Sequence, residues 1–163
     1  MERRDTRRSA YKRRVEQMFL GTYEHTLDDK GRLTIPVRYR EFINDGAYIT
    51  KGFDTNLMVM SVASFLHFSE EISKKSVTDL NARLLKRMIF GRAEKVELDR
   101  AGRILIPAFL REAVNLKSNT MIVGANTYFE IWSPELWIAQ NEKMNDLIAQ
   151  DAQFFQNFDL PIV

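Results

Sequence analysis

Two short segments of the chain combine an aspartate, a glycine and an arginine at the same spacing: residues 28–32 read DDKGR, and residues 99–103 read DRAGR. An aspartate that opens a turn can accept backbone N–H bonds, which fixes the shape of the turn. The arginine after the glycine presents a planar fork that suits phosphate oxygens or the edge of a guanine base. We therefore expect two turns able to bind an anionic ligand, with shapes set by Asp28, Gly31, Asp99 and Gly102.

The candidate contact residues are the basic side chains in and just after these turns. They are Lys30, Arg32, Arg38, Arg100 and Arg103. A single turn of this kind is most often a solvated surface feature, but a duplicated one favours a binding role. We expect the first turn to make more of the contact, because Lys30 is matched by the uncharged Ala101. Arg40 and Arg111 are each followed by a glutamate, so they could instead pair within a helix or across an approximate two-fold axis.

The two turns belong to a longer internal repeat. Residues 27–36 recur as residues 98–107, at an offset of 71 and with six of ten positions identical. The pair Arg40-Glu41 matches Arg111-Glu112 at the same offset, and residues 57–61 lie opposite residues 129–133 after one inserted position. An ordered match of this length indicates that the chain is built from two copies of one unit.

Each copy predicts the same elements around its turn. We expect short strands at 19–27 and 95–98, with hairpin partners at 32–35 and 103–106 across a type I turn and a glycine of positive φ. Pro36 and Pro107 should each open a helical turn. Further strands are expected at 48–51, 57–61, 121–124 and 128–132, with a helix from Ser133-Pro134 and extra helices in the first copy ending at Gly91. The fold class is mainly β with helices (α+β), with approximate two-fold symmetry.

Length and composition set the limits for these assignments. The chain has 163 residues, of which 45% are hydrophobic and 28% charged, which suits one compact folding unit. It has no cysteine, so disulfides and thiolate metal sites are excluded. Residues 1–17 hold seven basic and three acidic residues, a net charge of +4, which leaves the body at −2. Binding to nucleic acid would therefore depend on locally clustered charge.

The doubled motif Leu-Asp-x-x-Gly-Arg-hydrophobic-x-Ile-Pro, with Arg-x-Arg-Glu after the first copy, resembles the MraZ family. Each half is similar to the swapped-hairpin fold of AbrB-type transition regulators, and the similarity covers about residues 18–148. The resemblance implies a pseudo-two-fold barrel and a transcription factor, often a repressor, at the promoter of the division and cell-wall gene cluster. It implies binding to direct repeats of double-stranded DNA, and assembly with further copies of the chain into a ring. The Asp and Arg of the family motif fall on Asp28, Arg32, Asp99 and Arg103.

We divide the chain into a basic, disordered extension at 1–17, a first repeat with bridging helices at 18–90, a second repeat at 91–150 and a tail at 151–163. Family members usually begin near the equivalent of Met18. The extension could therefore reflect the choice of start site, or it could be a basic arm that adds salt-sensitive DNA affinity. The aromatic-rich tail could pack on its own body or dock onto a neighbouring subunit. No cofactor, metal or membrane span is expected, and we expect a cytoplasmic, nucleoid-associated protein.

The alternatives to a DNA-binding regulator are an enzyme and an assembly protein, and a nearer alternative is an AbrB-type antitoxin that also binds DNA. Against an enzyme, His25 and His67 lack metal-ligand spacing, the sequence has no phosphate-binding glycine loop and no nucleophile elbow, and Asp28 and Asp99 sit where a turn needs an aspartate. An assembly protein would use its many aromatic residues for subunit contacts and leave the turns empty. An AbrB-type antitoxin would usually carry one motif copy and a toxin-binding tail.

Overall fold

The structure is a computed structural model that describes residues 18–151 and 153–161; the predicted basic extension lies outside them. The strands are β1 (Thr22–Thr26), β2 (Arg32–Thr34), β3 (Ala47–Lys51), β4 (Leu57–Ser61), β5 (Glu94–Val96), β6 (Arg103–Leu105), β7 (Asn119–Gly124) and β8 (Tyr128–Trp132). The helices are α1 (Val37–Arg40), α2 (Val62–Ser73), α3 (Leu80–Phe90), α4 (Ala108–Ala113) and α5 (Pro134–Gln150). Glu41–Ile43 and Phe154–Phe158 form 3-10 turns.

Six strands form one antiparallel sheet in the order β1-β7-β8-β4-β3-β5. The order reads the same from either end when each strand is replaced by its counterpart in the other copy. The approximate two-fold axis therefore passes between β8 and β4. This symmetry confirms the two-repeat α+β architecture that the 71-residue offset predicts.

The predicted local hairpins are wrong, because the strands after the turns are exchanged between the copies. β2 pairs with β6, placing Leu33 opposite Ile104, whereas β1 pairs with β7 and β5 pairs with β3. In the first copy the expected hairpin is reduced to an isolated bridge between Leu27 and Leu33 next to the turn. A swapped pair and a local hairpin need the same alternation of apolar residues, so the sequence pattern cannot distinguish them.

The exchange creates one core shared by both copies. Leu33 and Ile104 are 0% and 1% exposed, at the centre of the β2–β6 ladder. They pack in one cluster with apolar side chains of the six-stranded sheet, which include Ile49, Val59, Ile122, Phe129 and Ile131. Among the described residues the strands of the six-stranded sheet end at β1 on one side and β5 on the other. The β2–β6 ladder is a separate two-stranded sheet that shares the core of the six-stranded sheet.

The starts of α1, α4 and α5 agree with the sequence prediction. α1 and α4 follow Pro36 and Pro107 directly, since proline has the fixed φ that a helix start requires. α2 is capped by Ser61, whose hydroxyl accepts a bond from the backbone N–H of Ser64 at 3.2 Å. α3 ends at Gly91 as predicted, but with a φ of −67°, so this end does not use the left-handed conformation common for a terminal glycine.

The chain divides into two compact units between Ser133 and Pro134, whereas its length predicts one. The C-terminal unit consists of α5 and the 3-10 turn, in which the Phe154 ring lies 5.2 Å from Phe155 and 5.3 Å from Phe158. The expected apolar side of α5 includes Met144 and Leu147, and both side chains are exposed. Within the described part of the chain, no helix is long and apolar enough to span a membrane.

Candidate nucleic-acid interface

The two turns have the same hydrogen-bonded skeleton. The Asp28 carboxylate accepts bonds from the backbone N–H groups of Lys30 at 3.0 Å and Arg32 at 2.8 Å. The Asp99 carboxylate accepts the equivalent bonds, from Ala101 at 2.9 Å and Arg103 at 3.0 Å. In each turn the glycine N–H also donates to the aspartate carbonyl at 3.0 Å. Gly31 and Gly102 have φ values of +82° and +74°, a conformation that strains residues with a side chain.

The arginine that follows each glycine is held by the aspartate of its own turn. Arg32 donates from Nε to Asp28 at 2.7 Å, and Arg103 donates from Nε to Asp99 at 2.8 Å. Arg103 also places Nη1 3.7 Å from the Asp28 carboxylate, so it joins the two turns. The side chains of Arg32 and Arg103 are 32% and 29% exposed. The structure therefore brings these four predicted residues into one cluster whose arginines still reach the surface.

Both turn aspartates have a pKa below the usual value of 3.8. For Asp28 the main cause is the backbone hydrogen bond from Arg32, and for Asp99 it is the side-chain hydrogen bond from Arg103. Both carboxylates are therefore ionised at neutral pH and hold no proton to donate, so the pair is unsuited to act as a general acid. Within the described residues, no group of three or more acidic or histidine side chains could hold a metal ion.

Each turn is also bonded to the strand end of the other copy. The backbone N–H of Ile35 donates to the Gly102 carbonyl at 2.9 Å, and that of Ile106 donates to the Gly31 carbonyl at 2.9 Å. Among the described residues Arg40 and Arg111 form no ion pair, either within a helix or across the approximate two-fold axis, and each guanidinium lies instead against the glycine of the opposite turn. The turns are thus parts of one structure to which both copies contribute.

The other predicted contact residues, Lys30, Arg38 and Arg100, have exposed side chains. Within the described part of the chain, none of them forms an ion pair. They are therefore available to an anionic ligand, but the structure does not join them to the four-residue cluster.

The outer face of the β2–β6 ladder was not predicted as part of the site. Arg32 lies opposite Leu105, which is 57% exposed, and Thr34 lies opposite Arg103. Neighbouring residues of a strand point to opposite faces, and Leu33 and Ile104 are the inward residues. The alternation of these two strands could have shown that Thr34 and Leu105 lie beside the arginines.

Comparison with known proteins agrees with the doubled motif. The model of the MraZ protein family, which is described as antitoxin-like, matches residues 18–88 and again residues 89–158. A protein named Transcriptional regulator MraZ from Thermomicrobium roseum is 45% identical over 125 residues, which is 77% of this chain and 88% of that protein.

Relatives of the same name show similar coverage. The Roseiflexus sp. (strain RS-1) protein is 45% identical over 135 residues, 83% of this chain and 90% of its own. The Heliobacterium modesticaldum protein is 38% identical over 143 residues, 88% of this chain and 100% of its own. With two successive matches to the family model and relatives that align over most of its length, the chain belongs to the MraZ family.

Proposed function

We propose that this chain is a sequence-specific DNA-binding regulator of transcription that contacts double-stranded DNA through its two turns. The observation that carries the proposal is the cluster of Asp28, Arg32, Asp99 and Arg103, which strand exchange assembles from both copies. Family membership supports it, because the relatives are named transcriptional regulators rather than enzymes. A single isolated turn would hold one arginine bonded to its aspartate, whereas this arrangement brings two such arginines together.

The proposed contact of Arg32 differs from those of the other exposed basic residues. The ion pair of Arg32 uses Nε, so the terminal nitrogens can donate to phosphate oxygens or to O6 and N7 of guanine. The exposed Lys30, Arg38 and Arg100 would supply contacts to phosphate. Arg103 would be secondary, because all three of its guanidinium nitrogens already face the turn carboxylates. Asp28 and Asp99 would act indirectly, by keeping each turn in shape and each arginine in place.

Affinity would come from several turns acting together on one duplex. The body of the chain carries a net charge of only −2, so its overall field does not attract DNA, and one pair of turns would bind weakly. A ring of identical subunits would present many pairs. Neighbours related by rotation present their turns in the same sense, so the matching operator is a set of direct repeats in the promoter. Exposed apolar side chains, among them Leu66, Leu84, Ile138 and Leu147, support such self-association.

The cellular part of the proposal follows the family resemblance. We infer a cytoplasmic, nucleoid-associated repressor of the division and cell-wall gene cluster. An antitoxin-like role is the second candidate, favoured by the family description and by the exposed Phe155 and Phe158 after α5, which a protein partner could cover. The second role would be favoured if the chain forms a stoichiometric complex with a protein partner and does not bind the DNA upstream of its own gene.

The test is a salt titration of Arg32→Ala binding to the chain's upstream DNA and to a scrambled sequence. If Arg32 reads guanine, the substitution costs about 1–3 kcal/mol per repeat and reduces the preference between the two DNAs. If Arg32 meets only phosphate, both affinities fall evenly and the salt slope decreases by about one. Arg87→Ala on α3 is the matched control, since it removes an exposed arginine outside the turns. Unchanged binding to both DNAs, with the oligomer intact, would refute the site.

A further inference from the structure

Two arginines outside the turns lie where a side chain at the turn glycine would have to be. A Cβ added to Gly31 would stand 2.8 Å from Cζ and 2.9 Å from Nε of Arg111, which belongs to the other copy. A Cβ added to Gly102 would likewise stand 2.5 Å from Nε of Arg40. A side chain at either glycine would therefore force the guanidinium of the opposite copy to shift, and the positive φ of both glycines separately disfavours a residue with a Cβ.

Hydrogen bonds hold each of these arginines in place. Arg111 donates from Nε to the carbonyl of Ile106 at 3.1 Å, and the N–H of Ile106 donates to the Gly31 carbonyl at 2.9 Å. Ile106 therefore links Arg111 to Gly31, because its carbonyl accepts from Arg111 and its N–H donates to Gly31. Arg40, Ile35 and Gly102 form the equivalent set, with distances of 2.9 Å and 2.9 Å.

The position of these arginines argues against direct contact with DNA. Both are half-buried, and each uses Nε for a protein carbonyl while its guanidinium lies against a glycine. The charge of Arg40 is also close enough to β1 to contribute, after burial, to a lowered pKa of His25. A guanidinium placed in this way supports the backbone of the turn and leaves the outer surface to Lys30, Arg32, Arg100 and Arg103.

We propose that Arg111 and Arg40 are crossed positioning residues: Arg111 holds the turn at 28–32, and Arg40 holds the turn at 99–103. The proposal rests on the proposed DNA-binding function for its consequence, but its structural half can be tested without DNA. It assigns to each copy control over the contact surface of the other copy. A substitution of either arginine should therefore disturb the turn of the other repeat and leave the turn of its own repeat unchanged.

The first test is amide hydrogen exchange in the full chain without DNA. Arg111→Gln should accelerate exchange roughly three- to tenfold at Gly31 and Ile106 and leave Gly102 and Ile35 within error, since the bonds it supports open more often. Arg40→Gln should give the opposite pattern. Equal acceleration at both turns, or no acceleration at either, would overturn the proposal. If a glutamine variant does not fold, Arg111→Lys and Arg40→Lys keep the charge, lose the planar group and should show the same crossed pattern more weakly.

The second test uses double-mutant cycles of DNA affinity with the matched exposed residues Lys30 and Arg100. Arg111→Gln should weaken binding roughly three- to tenfold, and this loss should shrink when Lys30→Ala is already present and persist beside Arg100→Ala. Arg40→Gln should couple to Arg100→Ala instead. Additive losses in every pair would overturn the proposal, as would a loss from Arg111→Gln with a reduced salt slope and unchanged exchange, the signature of a phosphate contact.

The two tests separate the two proposals. Both proposals are supported if each arginine substitution accelerates exchange at the turn of the other repeat and couples in DNA affinity to the exposed basic residue of that same turn. Crossed exchange rates in a protein whose DNA affinity does not respond to Arg32→Ala support the positioning and refute the DNA-binding site. Uncrossed exchange rates with a normal response to Arg32→Ala refute the positioning and leave the DNA-binding site in place.

Discussion

The turn at 28–32 and the turn at 99–103 share their interior and differ on their surface. The buried positions after each turn keep their apolar character, with Leu33 and Ile35 matched by Ile104 and Ile106. At the outward positions the repeats diverge: Asp29, Lys30, Thr34 and Arg38 correspond to Arg100, Ala101, Leu105 and Phe109. Packing and turn hydrogen bonds fix the interior, whereas the outward residues carry no such constraint. The two turns therefore present different side chains on the same hydrogen-bonded frame.

The same comparison qualifies the expectation that the first turn makes more of the contact. Residues 28–32 hold two acids and two bases and are neutral, whereas residues 99–103 hold one acid and two arginines, a net charge of +1. Lys30 therefore favours the first turn, and Asp29 opposes it. How much of the DNA contact each turn makes therefore stays a prediction, and it can be tested by variants at equivalent positions of the two copies.

The largest effect is expected in the shared interior. Leu33→Ala and Ile104→Ala each remove a fully buried side chain from the middle of the β2–β6 ladder and should lower the free energy of unfolding by about 2–5 kcal/mol. The two losses should be similar, because the residues face each other across the axis. Denaturant unfolding measures them, with the exposed Val37→Ala as control. A loss in only one copy would show that the interior is less symmetric than the fold.

Alanine at either turn glycine should have the next largest effect. Gly31→Ala and Gly102→Ala each force a side chain into a positive φ, at a cost of about 1–2 kcal/mol, and push against the opposite arginine. Both the free energy of unfolding and DNA affinity should fall, because the new side chain strains the backbone at positive φ and forces the opposite guanidinium to shift. Unfolding curves and gel shifts on the same samples would check this, and a stabilised variant would contradict it.

Exchange of the surface residues tests the charge difference directly. Asp29→Arg with Lys30→Ala gives the first turn the residues of the second and raises the net charge by one. Arg100→Asp with Ala101→Lys does the reverse. The first pair should tighten binding to non-specific DNA and steepen the salt slope by up to about one, and the second pair should do the opposite. Equal affinities for both exchanged proteins would show that these outward residues do not meet DNA.

The smallest effect is expected from the turn carboxylates. Asp28→Asn should destabilise the protein more than Asp99→Asn, because Asp28 contacts both Arg32 and Arg103. The pKa of each aspartate is lowered in the folded chain, so its stabilising effect is present above the usual value of 3.8 and is lost as the pH falls through the lower folded value. Acid unfolding midpoints measure this loss. Asparagine variants that lose stability in acid as steeply as the parent would contradict the assignment.

The local features of the fold could be predicted from the residue pattern, whereas the exchange of strands between distant segments was implied only by the resemblance to swapped-hairpin regulators. The turns, their glycines and the helices after Pro36 and Pro107 depend on a few adjacent residues, so their spacing was sufficient. The partner of β2 depends on packing across the molecule, and the wrong hairpin followed from assuming the nearest partner. Contact of Arg40 with the Gly102 turn arises only once the copies have exchanged strands. For the same reason, the residue pattern alone did not indicate the contact between Arg40 and Gly102.

The pairing of β1 with β7 also affects how the chain is made. Thr22 lies opposite Val123, about 100 residues further along, so β1 reaches the ribosome exit long before its partner. At a synthesis rate of about 5–20 residues per second, the first strand waits on the order of 5–20 s without its ladder. Pairing over such a distance also favours slow folding. Throughout that interval the edge of β1 that later pairs with β7 is open, and an open strand edge can pair with other chains.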